Sequence, residues 1–215
     1  MTPMERFNAL PARQRDEILD KHRNYNTEHL DWWDNVYDDF KRDMDAIGIE
    51  VQRMYFSGFW SQGDGACFEG RVFSWEDFLK SAGYTCPALT ALAENSWVFG
   101  VAHKGRYYHE NCTSFSYDMA SPSDYCYSEL DEFVEHHSPY KTEIQNAAFL
   151  TILQGYDYDS LYTEFEEAFK GHMRDLYSRL EIEYDHLTSD ESVLESLDTN
   201  DMLTEIIDEL ENEYA

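Results

Sequence analysis

Positive charge is what this chain lacks most. Sixteen Lys and Arg stand against 44 Asp and Glu, giving a formal charge of −28 and an isoelectric point near 4.3. That balance excludes a broad basic surface for nucleic acid, so no direct nucleic-acid binding is expected. It also argues against adhesion to an anionic membrane, which requires basic segments. Long apolar runs are missing, and no basic–apolar–small signal opens the chain. A protein of the cytoplasm is therefore expected. Cysteine is sparse: Cys67, Cys86, Cys112 and Cys126 form no C-x-x-C pair. Such cysteines most often stay reduced and partly buried. His109-x-x-Cys112 is half of a zinc motif whose second close pair is absent, so no metal or cofactor is expected.

What is present is core material. Hydrophobic residues make up 42% of the chain and aromatics 16%, which excludes wholesale disorder. A chain of 215 residues buries about 70% of its unfolded surface without staples. The expected fold is α+β in a single domain. Residues 1–48 read as helical, 49–119 as a small antiparallel sheet with one inserted helix, and 124–215 as helical and strongly acidic.

The helical readings rest on spacing. In the N-terminal part, Ile18, Leu19, His22 and Tyr25 follow Pro11 at helical intervals. Asn26 or Thr27 is the expected N-cap of a second helix, whose stripe is Leu30, Trp33, Tyr37, Phe40 and Met44. Near the C-terminus, Leu161, Phe165, Phe169, Met173, Leu176 and Leu180 form a sustained apolar stripe on a helix expected at 159–186. Helices are also expected at 126–137, 140–154, 190–198 and 200–213. In the middle, Val51–Trp60 and Ala66–Phe73 read as strands joined at Asp64-Gly65, a hairpin signal. Ser96–His103 and Arg106–Met119 read as a second pair turning at Lys104-Gly105. One helix is expected between the pairs, from Ser74 or Trp75 to about Ala93, with Pro87 as a point of interruption.

The densest candidate site is Phe56–Gly70, with four glycines and several polar groups set among aromatics. Glycine lets a ligand or partner approach the backbone closely. The segment lacks both the dinucleotide fingerprint and the Lys-Ser/Thr end of a P-loop. It reads as a structural hairpin or as a contact loop presenting Trp60, Gln62 and Asp64. A ligand site or enzyme built on Gln62–Cys67, with Cys67 as nucleophile beside a distant His, is the competing reading.

This segment also carries a resemblance. With the string FSGFWSQGDGACFEG, the preceding Asp31-Trp32-Trp33-Asp34 and the later Leu187-Thr188-Ser189-Asp190-Glu191, the chain resembles a family of phage and prophage proteins, some of them labelled antitoxin-like. The resemblance spans most of residues 25–200. It implies a mobile-element origin and carries no catalytic residues over.

Other polar clusters have plain readings. His136 and His137 are adjacent on a helix and point about 100° apart, so they do not converge on a metal. Asp157 and Asp159 read as a turn and N-cap pair, since the calcium-loop pattern beyond them is missing.

The acids carry the strongest signal. The last 35 residues hold 13 acids and no Lys or Arg. Duplex DNA bears one charge per about 1.7 Å, so 28 charges match about 48 Å of duplex. Asp31, Asp34 and Asp38 share a helical spacing that sets carboxylates about 5–6 Å apart at Cβ, as do Glu205, Asp208 and Glu209. With Glu211, these acids are the candidate contacts to a partner. The partner expected is a basic host protein or ribonucleoprotein complex, of restriction or CRISPR type, or a toxin. The chain would then be a non-enzymatic inhibitor that imitates the charge of DNA. Acidity that serves solubility alone is the plain alternative.

Overall fold

The computed structural model describes residues 2–28, 31–124, 127–137 and 143–214. Leu30 and Cys126 lie outside these residues. The chain is α+β, with one four-stranded antiparallel sheet and helices before, within and after it. Where one domain is expected, the residues gather into two compact units. Tyr37–Ser178 contains the sheet, and Met1–Val36 with Arg179–Ala215 is all helical.

In the sheet unit the strands are β1 (Ile49–Phe56), β2 (Ala66–Val72), β3 (Trp97–His103) and β4 (Thr113–Met119), paired in the order β1-β2-β3-β4. Alternation gives the sheet one buried and one solvated face. Ile49, Phe68, Val72, Trp97, Phe99 and Val101 are buried. The opposite face shows Val98, Ala102, Ser114 and Ser116 to solvent. There Arg71 Nε donates to Glu50 at 2.6 Å, holding that carboxyl below its ordinary range.

Helices cover the buried face. Phe40 and Met44 come from α4 (Asp34–Ala46), Trp75, Phe78 and Leu79 from α5 (Trp75–Ser81), and Leu89 and Leu92 from α6 (Pro87–Ser96). The long α9 (Tyr158–Leu187) adds Phe165, Phe169 and Met173. Ring centroids lie 5.1 Å apart for Phe78–Phe165, 5.2 Å for Phe99–Phe169 and 5.7 Å for Phe68–Phe169. All six residues of the α9 stripe are buried, as its period requires. The two remaining helices of this unit are α7 (Tyr127–His137) and α8 (Glu143–Gln154).

The helical unit joins α1 (Pro3–Ala9), α2 (Ala12–His22) and α3 (Tyr25–Glu28) to α10 (Asp190–Thr199), α11 (Met202–Glu213) and the end of α9. Its core is Phe7, Ile18 and Leu19 packed on Val193, Leu197, Leu203, Ile207 and Leu210. Polar bonds follow the same pairing. Arg6 reaches Asp208 at 2.6 Å and Glu211 at 3.1 Å. Arg23 pairs with Asp190 and donates to the Thr188 carbonyl at 3.1 Å. The bases of the N-terminal helices thus meet carboxylates of a segment that has no base of its own.

Four boundaries differ from expectation. α4 starts at Asp34 rather than near residue 27, because the Asn26 amide instead donates to the Leu187 carbonyl at 2.9 Å. The single inserted helix is two, parted where Gly83 takes a positive φ and Pro87 opens α6. β1 ends at Phe56, so residues 57–65 form a loop rather than a tight hairpin. Residues 106–112 are loop, closed by a 3-10 turn at Glu110–Cys112, and not strand.

Phe165 is fully buried among five aromatic partners of the sheet unit. Phe165→Ala should cost about 3–5 kcal/mol, measured by chemical unfolding of the parent and variant. A loss below about 1 kcal/mol would show that this ring is not central to the core.

Candidate functional site

The loop between β1 and β2 is built by its own polar groups. Ser57 N–H donates to the Gly65 carbonyl at 3.0 Å and closes its neck. Asp64 N–H donates to the Ser61 carbonyl at 3.1 Å, while the Asp64 carboxylate accepts from Ser61 N–H at 2.6 Å. Phe59 turns inward and is buried, 5.6 Å from the Tyr177 ring, and Tyr177 Oη donates to the Gly58 carbonyl at 3.3 Å. Trp60 turns outward and is 72% exposed.

A second loop, between β3 and β4, locks against the first. Lys104 N–H donates to the Cys112 carbonyl at 2.7 Å, and Cys112 N–H returns to His109 at 2.7 Å. His109 Nδ1 accepts from Asn111 N–H at 3.2 Å, capping the 3-10 turn at Glu110–Cys112. Two glycines make the interlock possible. Gly63 has φ +95°, and a Cβ there would lie 3.3 Å from the Tyr107 ring. A Cβ on Gly65 would lie 2.8 Å from His109 Cα, closer than any side chain tolerates.

Aromatic stacking braces the second loop. Tyr55 and Tyr108 stack at 5.3 Å with 10° between their planes, and the His103 ring lies 5.1 Å from Tyr108. His103 Nε2 donates to the Tyr107 carbonyl at 3.2 Å. Arg106 sits 5.8 Å from the centroid of the Tyr107 ring. A recess of about 240 Å³ lies beside the loops, lined by Asp64, Gly65, His109, Glu110, Arg174 and Tyr177. Arg174 there bridges Glu110 at 3.0 Å and Glu167 at 2.6 Å.

The chain is 74% covered by a family model for a domain of unknown function, DUF8835, matched over residues 32–190. It belongs to that family. The matched stretch takes in both loops and the whole sheet. No curated protein and no solved structure is a significant match to the chain.

The expected contact residues are distributed as follows. Trp60 and Gln62 are exposed on the loop, whereas the Asp64 carboxylate is committed to Ser61. Asp31, Asp34 and Asp38 are exposed at and before the start of α4, and Glu205 and Glu209 are exposed on α11. Asp208 and Glu211, on the same helix, are held by Arg6. Asp157 caps α9 through the Ser160 N–H and hydroxyl, which hold its carboxyl below the usual range. His136 Nδ1 donates to the Glu132 carbonyl within its own helix.

Cys67 is the candidate nucleophile of the competing reading. It is fully buried, and desolvation first, with Cys112 and Glu69 nearby, pushes its thiol up to about 12. A neutral, enclosed thiol is no nucleophile. Among the described residues no group of three or more His, Cys, Asp or Glu is placed to hold a metal ion.

Sequence reasoning missed the β3–β4 loop as a partner of the glycine loop. The available signal was a stretch without an acid, residues 95–109, which contains His103, Lys104, Arg106 and His109.

Two measurements probe this geometry. In the folded protein Cys67 should resist iodoacetamide at neutral pH and react once denaturant is added, as followed by peptide mass spectrometry. Gly65→Ala should lower stability by about 1–3 kcal/mol, because backbone rather than a flexible side chain blocks the new methyl. Unchanged stability would mean that the two loops are not locked together.

Proposed function

We propose that the chain is a non-enzymatic acidic inhibitor that occupies a Lys/Arg-rich, nucleic-acid-binding groove on another protein. Its target would be a host defence complex of restriction or CRISPR type, or a toxin, and its source a phage or mobile element. The observation that carries this reading is the charge of the helical unit. It holds 20 acids and 6 bases, a net −14 in 73 residues. The sheet unit has the same net −14 spread over 142 residues, with 24 acids and 10 bases.

Internal pairing does not remove that excess. Arg6 and Arg23 consume Asp208, Glu211 and Asp190. Glu191, Glu195, Asp201 and Glu205 remain exposed, and among the described residues none of them pairs with a Lys or Arg. Two like charges about 6 Å apart in water repel by roughly 0.7 kcal/mol before screening. Acids clustered at this density therefore cost stability, and a basic groove relieves the cost on binding. The attraction also acts at a distance and speeds encounter.

The loop pair stands outside this reading. Lys104 and Arg106, exposed on the second loop, would be repelled by a basic groove.

The test starts with tagged protein, a bacterial lysate, and mass spectrometry of what salt elutes. A captured basic protein should be displaced by excess duplex DNA. Its association should slow about tenfold or more at low salt when Glu191, Glu195, Glu205 and Glu209 are changed to Gln. The difference should shrink as salt shortens the Debye length towards about 8 Å. That set leaves Asp208 and Glu211 in place, so the Arg6 clamp stays intact and charge is separated from folding. Equal rates for variant and parent at low salt, or capture indifferent to duplex DNA, would sink the proposal.

A further inference from the structure

We propose that the paired loops of the sheet unit form a binding site for a mononucleotide, a planar ring carrying a phosphate. This site is independent of the acidic helices and does not rest on the inhibitor reading.

The first support is exposure in a fixed setting. Trp60 is 72% exposed and Tyr107 51%, although large aromatic rings are usually well buried. Both sit on backbone held by the hydrogen bonds described above, and Gly63 lets the Tyr107 ring rest directly on the first loop. An aromatic face presented on a pre-formed loop loses little freedom when a planar ligand stacks on it.

Charge gives the second support. Elsewhere in the sheet unit Arg53, Arg71 and Arg174 each sit against a carboxylate. Lys104 and Arg106 are exposed and, among the described residues, have no such partner. In a chain of −28, two cations without a carboxylate stand on the loop that carries the exposed Tyr107 ring, which meets the Trp60 loop at Gly63, and together they favour an anion that is also aromatic. Arg106 lies over the Tyr107 ring and offers its guanidinium to a phosphate, while the exposed Trp60 ring offers a face to the base. Gln62 is exposed on the opposing loop and brings an amide able to donate to and accept from a base edge.

Surroundings decide between ligands. Ser61, Gln62, Lys104, Gly105 and Arg106, the exposed sequence neighbours of the two rings, are polar or glycine, and the aromatic neighbours Phe59 and Tyr108 are buried or half-buried. A protein hot spot needs a rim of contacts that excludes water around its anchors. A nucleotide needs only the ring face and the cations. A longer strand would gain little, because each phosphate beyond those facing Lys104 and Arg106 meets a unit of net −14.

The experiment is calorimetric or NMR titration of the full chain at physiological salt. The probes are AMP, adenosine, inorganic phosphate, an oligo-dA octamer and a poly-glutamate peptide. AMP should bind saturably in the millimolar range or tighter. Adenosine and phosphate should each bind at least about fivefold more weakly, since each keeps half of the recognition. Trp60→Ala should weaken AMP at least about fivefold, the low end for a lost base–aromatic stack. The double change Lys104→Gln and Arg106→Gln should bring AMP down to the level of adenosine. Tyr107→Phe keeps the ring and should bind as the parent does, so loop collapse is told apart from loss of stacking. Phe73→Ala, which removes a ring that is 50% exposed elsewhere in the unit, should leave AMP unchanged. Absence of saturable AMP binding overturns the proposal. So does an octamer that binds more tightly than AMP, or poly-glutamate binding that depends on Trp60 while AMP does not bind.

Discussion

The buried aromatic face of α9 is the contact on which the sheet unit depends. A four-stranded sheet with one apolar face is unstable in water until that face is covered. Phe165 and Phe169 touch rings from β2, β3, β4 and α5, so one helix turn closes most of the core. The same helix then runs under the loops. Met173 and Arg174 line the recess beside them, and Tyr177 holds the Gly58 carbonyl. Packing at one end of the helix and positioning at the other are two consequences of a single 3.6-residue period. On its buried stripe α9 has Phe, Leu or Met throughout, and Arg174 and Tyr177 flank that stripe beside the loops.

Charge imposes the second constraint. A chain with so few bases has to place them where they offset the most repulsion. Arg6 and Arg23 lie on N-terminal helices, yet both serve acids more than 160 residues away. Exposed ion pairs add little each. Their effect here is to pin α1 and α2 to α10 and α11 in one register, with Phe7, Ile18 and Leu19 beneath. The unit that carries the greatest charge density is thus tied together by the bases of its other half. What stays exposed is mostly carboxylate, with Arg13 and Lys21 exposed among it. In the sheet unit Lys104 and Arg106 are exposed and, among the described residues, have no carboxylate partner, as is true of Lys41 and Lys80.

Much of this was legible in the residues. Periodicity gave α9, α10 and α11 within one or two positions, because an apolar stripe at helical spacing has one way to be buried. The β3–β4 pair and the α+β class followed from short aromatic runs bounded by glycine. The sequence reads Trp60 as the end of a strand, and the structure instead places it on the loop after β1, exposed. The start of α4 was not legible, since Asn26 is an equally good cap for its own helix and donor to a distant carbonyl. Nor could the role of Asp64 be read. An Asp two residues after a Gln in a glycine-rich loop serves equally as a ligand contact and as a turn cap, and the choice lies in the direction of one carboxylate.

The sequence by itself therefore determined the elements, the solvated and buried side of each, and the acidic character of the C-terminal helices. These depend on residues within a few positions of one another. Only the tertiary structure decided that Cys67 is enclosed and inert, that Arg6 neutralises Asp208 and Glu211, and that the glycine loop meets the His103–His109 turn. Each of these joins groups separated by about 40 to 200 residues. Their meeting is set by how whole faces pack, and a local pattern of side chains carries no record of which distant face will arrive.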